Sequence, residues 1–253
     1  MNKQEERRLN RKILLRAALE CIYPRRCPFC GRVIGFQPEC KKCRKLCQAL
    51  ELRDANLDPA THYFGNLSGA AAVYRYKDGV RDAVLNMKYH ARRSYARDLG
   101  EIMAKTLFGC TFYSKYGIIL PEPASAGTDL WDVMVPVPKS SWDRGYNVPS
   151  LLAQPIAWAI GVPIQEDALQ RVRSTHHQAG LPLQDRLDNA EGAFAPSESC
   201  HVKGMRVLLI DDVITTGATT AACAEALLSA GAQSVYAIAL ASSQWQTEHS
   251  ETV

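Results

Sequence analysis

The run at residues 207–219, Val-Leu-Leu-Ile-Asp-Asp-Val-Ile-Thr-Thr-Gly-Ala-Thr, constrains the fold of this chain more than any other stretch. Four apolar residues form a strand core and deliver two adjacent carboxylates, Asp211 and Asp212, to the strand's carboxyl end, where open α/β sheets bind ligands. A loop with Thr215, Thr216, Gly217, Ala218 and Thr219 then enters a helix. Backbone N–H groups and the dipole at a helix N-terminus make an anion site suited to a phosphate. Gly217 permits close backbone approach, and the threonines add hydroxyl donors. Carboxylates repel phosphate, but they suit a neutral diol or a bridging Mg²⁺. A diol binder beside a phosphate cradle describes a ribose 5-phosphate site. Neither G-x-x-x-x-G-K-[ST] nor G-x-G-x-x-G occurs, which disfavours a P-loop NTPase and a dinucleotide binder.

The rest of the chain supplies partners for that strand. Strands are expected at 70–76, 131–137, 206–210 and 234–241, and helices at 79–88, 95–108, 151–160 and 219–230. This alternation predicts an α/β domain with a largely parallel sheet flanked by helices. Residues 110–129 show weak periodicity and carry Pro121, Pro123 and Gly127, the marks of a loop. Residues 48–65 have the polar and Pro/Gly content of a linker. The domain division is then a basic helix at 1–22, a zinc module at 23–57, the α/β domain at 66–243 and a polar tail at 244–253. Apolar runs fall far short of a membrane span, and Arg16 and Glu20 interrupt the N-terminal apolar stretch, so a cytoplasmic chain without membrane insertion is expected.

Six of nine cysteines lie between positions 21 and 47. Cys27-x-x-Cys30 and Cys40-x-x-Cys43 are two knuckles that can close a tetrahedral four-thiolate site, and reduced cytosolic thiols favour Zn²⁺ over disulfides. Four thiolates leave no open coordination position, so the metal's role is structural. So small a segment cannot bury enough apolar surface to fold alone. Cys21 or Cys47 could replace a ligand, and a redox-active knuckle is the competing use of the motif. Cys110, Cys200 and Cys223 are scattered and read as small buried apolar residues.

Charge is uneven. Residues 1–58 hold 14 Lys/Arg against 7 Asp/Glu, whereas the remainder holds 16 against 19. A basic head on a near-neutral body suggests an acidic partner. Arg25, Arg26, Arg32, Lys41, Lys42, Arg44 and Lys45 flank the knuckles, and Tyr23, Phe29 and Phe36 offer rings, the chemistry of single-stranded DNA binding. The competing structural reading packs those rings against the sheet and leaves the cations solvated.

The run at 207–219 resembles the phosphoribosyl pyrophosphate (PRPP) loop of type I phosphoribosyltransferases. The knuckles ahead of it narrow the resemblance to the ComF family of competence-related proteins. Met87-Lys88-Tyr89, Pro136-Val137-Pro138, Arg144-Gly145-Tyr146-Asn147, Leu151-Leu152-Ala153, Leu169-Gln170-Arg171 and the spaced run from Thr175 to Phe194 agree in order. The resemblance implies a type I phosphoribosyltransferase-like sheet with a small N-terminal zinc ribbon. It assigns Asp211 and Asp212 to the ribose hydroxyls and Mg²⁺, and 215–219 to the 5-phosphate. It places Lys139 and Arg144 on a pyrophosphate turn, with Lys88 a further candidate for that anion, and Thr175, Gln178 and Arg186 on a loop that closes over PRPP. One departure is Val148-Pro149 where the family carries Gln. His176 and His177 fall on no position that the motif marks.

Two functions compete. In one, the chain transfers phosphoribosyl from PRPP to an unidentified acceptor, in the service of DNA uptake or use. In the other, it is a non-catalytic PRPP-sensing module that binds single-stranded DNA, with competence or DNA-processing proteins as partners. A zinc ribbon on an inert scaffold would leave the Asp-Asp and threonine loop unexplained.

Overall fold

The computed structural model describes residues 24–35, 40–90, 92–115, 118–121, 130–139, 145–173 and 183–243, with Ala18 and Ile22, both helical, ahead of them. Most of the basic helix expected at 1–22 and the tail at 244–253 lie outside the described residues. In chain order the elements are α1 (Lys41–Leu50), β1 (Gly69–Arg75), α2 (Asp78–Tyr89), α3 (Ser94–Phe108), β2 (Phe112–Lys115), β3 (Ile118–Pro121), β4 (Val133–Pro136), α4 (Val148–Ile160), β5 (Leu169–Arg171), α5 (Leu183–Ala190), β6 (Phe194–Pro196), β7 (Arg206–Ile214), α6 (Ala218–Ser229) and β8 (Ser234–Ser242).

Strands β1, β8, β7 and β4 form one parallel sheet in that order. The register sets Ile210 against Ile238 and Val133 against Val207. Successive residues of β7 and β8 point to opposite faces, and both faces are apolar. Leu208, Ile210, Ile238 and Leu240 pack under α2, α3 and α4 with Met87, Leu99 and Leu152. Val207, Leu209, Ala237 and Ala239 pack on the other side with Cys223 and Leu227 of α6. The expected α/β sheet covered by helices on both faces is the observed one. Pro149 occupies the first turn of α4, where its missing N–H costs no hydrogen bond.

Three segments differ from expectation. Strand β7 continues to Ile214, because Asp211 pairs in register with Ala239 and Val213 with Ala241. Both carboxylates therefore belong to the strand itself. Within 110–129, β2 and β3 form a short antiparallel hairpin, with Phe112 opposite Pro121 at its open end; four residues per strand are too few to register as a period. The stretch 48–65 is packed chain rather than free linker. Leu52 and Leu57 donate to Val73 and Ala70 of β1, and Ala72 returns a bond to Ala55. Residues 51–57 thereby cover the edge of β1, while Pro163 and Gln165 bond Met134 at the opposite edge, so unpaired strand groups are masked on both sides.

Candidate functional site

The carboxyl edge of β7 leads straight into the threonine loop and the first turn of α6. Gly217 caps that helix at φ 91°, a left-handed backbone that glycine adopts without steric cost. A Cβ added there would stand 2.2 Å from the carbonyl oxygen of Tyr63. The loop is braced from that side, because the Tyr63 N–H donates to the Thr216 carbonyl at 2.7 Å. Thr216 is 3% exposed, and its hydroxyl lies 3.4 Å from the Ala218 N–H. Its side chain therefore shapes the loop. Thr215 and Thr219 are partly exposed, and Ala218 is buried.

Asp212 is 4% exposed. Lys88, from the last turn of α2, brings its Nζ to 2.8 Å from Asp212 Oδ1. Burial alone would lower the Lys88 pKa; the Asp212 and Asp211 carboxylates outweigh it and hold the ammonium above its usual value. Asp211 accepts the Asp212 backbone N–H at 2.8 Å. Burial, and then the charge of Asp212, push the Asp211 carboxyl up to about 7. Two crowded carboxylates, only partly neutralised by Lys88 and Arg171, are a donor set that a hard cation such as Mg²⁺ fits.

The Arg144–Asn147 motif pins this edge. Tyr146 donates its hydroxyl proton to the Met87 carbonyl, next to Lys88. Asn147 Nδ2 donates to the Val137 carbonyl at 2.9 Å, drawing the end of the turn back to β4. Lys139 is partly buried at the start of that turn. Arg144, Thr175, Gln178, His176 and His177 lie outside the described residues, as does the side chain of Arg186, which belongs to α5.

In the N-terminal module, the Sγ atoms of Cys27, Cys30, Cys40 and Cys43 all lie within 4.8 Å of one another. Metal–sulfur bonds of about 2.3 Å put the sulfurs of a zinc tetrahedron about 3.8 Å apart, and Cys30 and Cys40 are 3.8 Å apart. The first knuckle is a tight turn closed at Gly31, φ 69°. The second is the start of α1, with Cys40 as its N-cap. Burial raises the Cys27 thiol to about 11 and moves Cys43 the same way. Burial also acts to raise Cys40, but hydrogen bonds from the Cys43 and Lys42 backbone and the neighbouring thiols bring it down to about 7. Four such sulfurs ionise together only around a cation. Cys47 packs against this cluster without joining it, and Cys21 lies outside the described residues. Of the scattered cysteines Cys223 is fully buried, while Cys110 and Cys200 are only partly so.

The model of the phosphoribosyl transferase domain matches residues 131–253. A DNA utilization protein of Salmonella typhimurium, YhgH, is 37% identical over 120 residues, 46% of this chain and 52% of its own. Competence protein F of Haemophilus influenzae is 34% identical over 44% of this chain and 51% of its own. The chain thus spans about half the length of these two relatives. Competence protein ComFC of Bacillus subtilis is 26% identical across 85% of this chain and 77% of its own. The chain is similar to ComF-type competence proteins and carries a match to the phosphoribosyl transferase domain. Its sheet, with the Asp-Asp strand and the threonine loop at the carboxyl edge, has the type I phosphoribosyltransferase fold. Among the described residues, no helix of the chain is long and apolar enough to cross a membrane.

Sequence reasoning missed the strap at 58–66 that braces the loop. His62 is 5% exposed, and its Nε2 lies 2.7 Å from the hydroxyl of Ser242 at the end of β8. Nothing in a Pro- and Gly-bearing polar stretch signals that contact. The basic head is also partly committed: Arg25 pairs with Asp98 of α3 at 3.2 Å, and Phe29 meets Tyr74 edge-on at 6.0 Å. For Phe29 the structural reading holds; Arg25 is paired within the fold rather than solvated. Tyr23 and Phe36 lie outside the described residues.

Proposed function

We propose that this chain binds PRPP, or a nucleotide with a ribose 5-phosphate, together with Mg²⁺, and transfers the phosphoribosyl group to an acceptor in the service of DNA uptake or use. The observation that carries the reading is the junction of β7 and α6. There a carboxylate pair and the N–H groups of a braced helix N-terminus face the same sheet edge. The 5-phosphate takes the backbone N–H groups of the loop and the hydroxyls of Thr215 and Thr219, while Thr216 and Gly217 keep the loop's shape. Asp211 and Asp212 take the ribose hydroxyls and hold Mg²⁺, which supplies charge neutralisation of the diphosphate when bound. Lys88, held by Asp212, stands beside that charge, and Lys139 and Arg144 flank the departing pyrophosphate. Residues 171–189, with Thr175, Gln178 and Arg186, exclude water by closing over the sugar. Bond cleavage at C1 builds charge on both fragments, so positioning and fixed electrostatics do most of the work. Cys27, Cys30, Cys40 and Cys43 hold one structural Zn²⁺.

The test is a melting curve with Mg²⁺ and PRPP. A ligand selective for the native state raises the melting temperature, and Asp212→Asn should abolish most of that rise. The same substitution leaves Lys88 without its partner and should cost about 1–3 kcal/mol of stability, less than a fully buried pair because Lys88 is a quarter exposed. A wild-type protein indifferent to Mg²⁺ and PRPP would sink the proposal. Pyrophosphate release across a panel of nucleobases and amines then separates turnover from binding alone.

A further inference from the structure

The strap beside the phosphate loop leaves the edge of β1 at Leu57, whose N–H donates to Ala70. It returns to the sheet at Ser68, whose N–H donates to Val235. Between these ends His62 turns inward and is 5% exposed. The hydrogen bonds around its ring fix the tautomer. Thr61 Oγ1 donates to the Asp58 carbonyl at 3.1 Å, so toward His62 Nδ1, 2.9 Å away, it accepts. Nδ1 therefore carries the proton, and Nε2 accepts from the Ser242 hydroxyl at 2.7 Å.

Both sides of this relay bear on the loop. Ser242 closes β8 and stands in register with Ile214, the residue before Thr215. Its carbonyl accepts the Tyr76 N–H, so its backbone is held within the sheet. Tyr63, directly after His62, lays its backbone on the loop. Its N–H donates to the Thr216 carbonyl at 2.7 Å, and its carbonyl oxygen would stand 2.2 Å from a Cβ on Gly217. The Tyr63 side chain is half exposed, so the anchorage of this clamp comes from its buried neighbour. One residue anchors and the next one clamps.

We infer that His62 is a positioning residue for phosphate recognition, its neutral ring tying the strap to Ser242 so that the loop's N–H groups stay aimed at a 5-phosphate. This role presupposes that residues 215–219 cradle a phosphate. Donors already in place bind an anion without first having to be ordered. With the tie cut, the Tyr63 backbone can back away, and the ligand itself has to order the loop. Protonation cuts it from within. A hydrogen on Nε2 leaves the buried Ser242 hydroxyl in need of another acceptor and puts a charge on a ring that burial keeps neutral. The charge that reaches the ring is that of Asp58, on the strap itself; Ser242 from β8 and Thr216 from the loop bring none. Burial outweighs Asp58 and holds the His62 pKa below its ordinary 6.5. The relay is therefore intact at neutral pH and fails only as pH falls below about 6.5.

The experiment is a calorimetric titration of the full, zinc-loaded chain with PRPP and Mg²⁺ between about pH 5 and pH 8, well below the melting temperature. His62→Ala and Ser242→Ala cut the tie from opposite sides. Each should weaken binding about tenfold at the alkaline end, the scale of one buried hydrogen bond. His62→Gln sets a non-titrating amide oxygen near the position of Nε2, and should hold affinity there within about twofold of the wild type. The phosphate's own titration is common to both proteins, so the ratio of wild-type to His62→Gln affinity isolates the ring. That ratio should be flat above about pH 6.5 and fall below it. A merely structural histidine would shift the melting temperature of the variants and leave their affinities alone. Should His62→Ala fail to fold, Ser242→Ala and the pH ratio decide. Wild-type affinity in Ser242→Ala would overturn the inference. So would a ratio that rises toward acid, which would mean that the imidazolium attracts the phosphate directly. Absence of binding by the wild type at every pH would remove the phosphate cradle and this role together, whereas binding indifferent to His62 and Ser242 removes this role alone.

Discussion

The cysteine cluster and the phosphate edge hold like-charged groups together by opposite means. At the edge, a buried parallel sheet places Asp211 and Asp212 side by side, and the chain itself supplies Lys88 as a partial counter-charge at 2.8 Å. In the cluster four thiols crowd together, and burial pushes the Cys27 and Cys43 thiols up. One site is organised before its ligand arrives. On the proposed reading the other is held together by a Zn²⁺, the usual condition of a module too small for a core of its own.

Removing the metal is the strongest way to break that contrast. Chelation, or Cys43→Ser, should release close to one Zn²⁺ per chain and open the module, because structural zinc contributes on the order of 10 kcal/mol to the folding of such units. Proteolysis should then cut within 24–50 while the sheet survives, since α6, β7 and β8 bury their apolar faces without it. Joint unfolding of both regions in one transition would show that the sheet depends on the metal too. Gly217→Ala strikes the other site. The new Cβ meets the Tyr63 carbonyl at 2.2 Å in a backbone region costly to alanine, so about 2–4 kcal/mol of stability should be lost. The melting response to Mg²⁺ and PRPP should vanish while zinc content stays intact.

A smaller effect sharpens the comparison through pH. Burial lowers the His62 pKa below its ordinary 6.5. The unfolded chain therefore takes up a proton that the folded chain resists. This contribution to stability is complete above about pH 6.5 and is lost as pH falls below it. His62→Gln should cost about 1 kcal/mol at neutral pH, the scale of one hydrogen bond. It should also flatten the acid limb of the stability curve. An unchanged acid limb would assign that limb to other groups.

What could be read from the sequence follows the same division. Knuckle spacing is local, so Cys27, Cys30, Cys40 and Cys43 were identifiable by counting, and the structure brings those four together. The apolar strand followed by Asp-Asp and a threonine loop was equally local. The Lys88–Asp212 pair was not, because 124 positions of chain separate two residues whose types are common on any surface. The strap was hidden more deeply still. His62 meets Ser242 across 180 positions, and the Tyr63 contact is made by backbone atoms, which carry no residue signature. Strand β7 was drawn four residues short because aspartates at a strand end resemble the start of a loop. Only the register with β8 shows that pairing continues past them.

The covered edges of the sheet have a consequence for assembly. With residues 51–57 lying along β1 and Pro163–Gln165 bonded to β4, neither border offers a row of open amides and carbonyls to another chain. Among the described residues, extension of this four-stranded sheet into a second copy, or capture of an extended peptide as its fifth strand, has no open border to start from. Self-association through the faces of this sheet's covering layers has to be built from side chains on helices and loops. It is accordingly open to tuning by single surface substitutions, as a shared backbone ladder would not be.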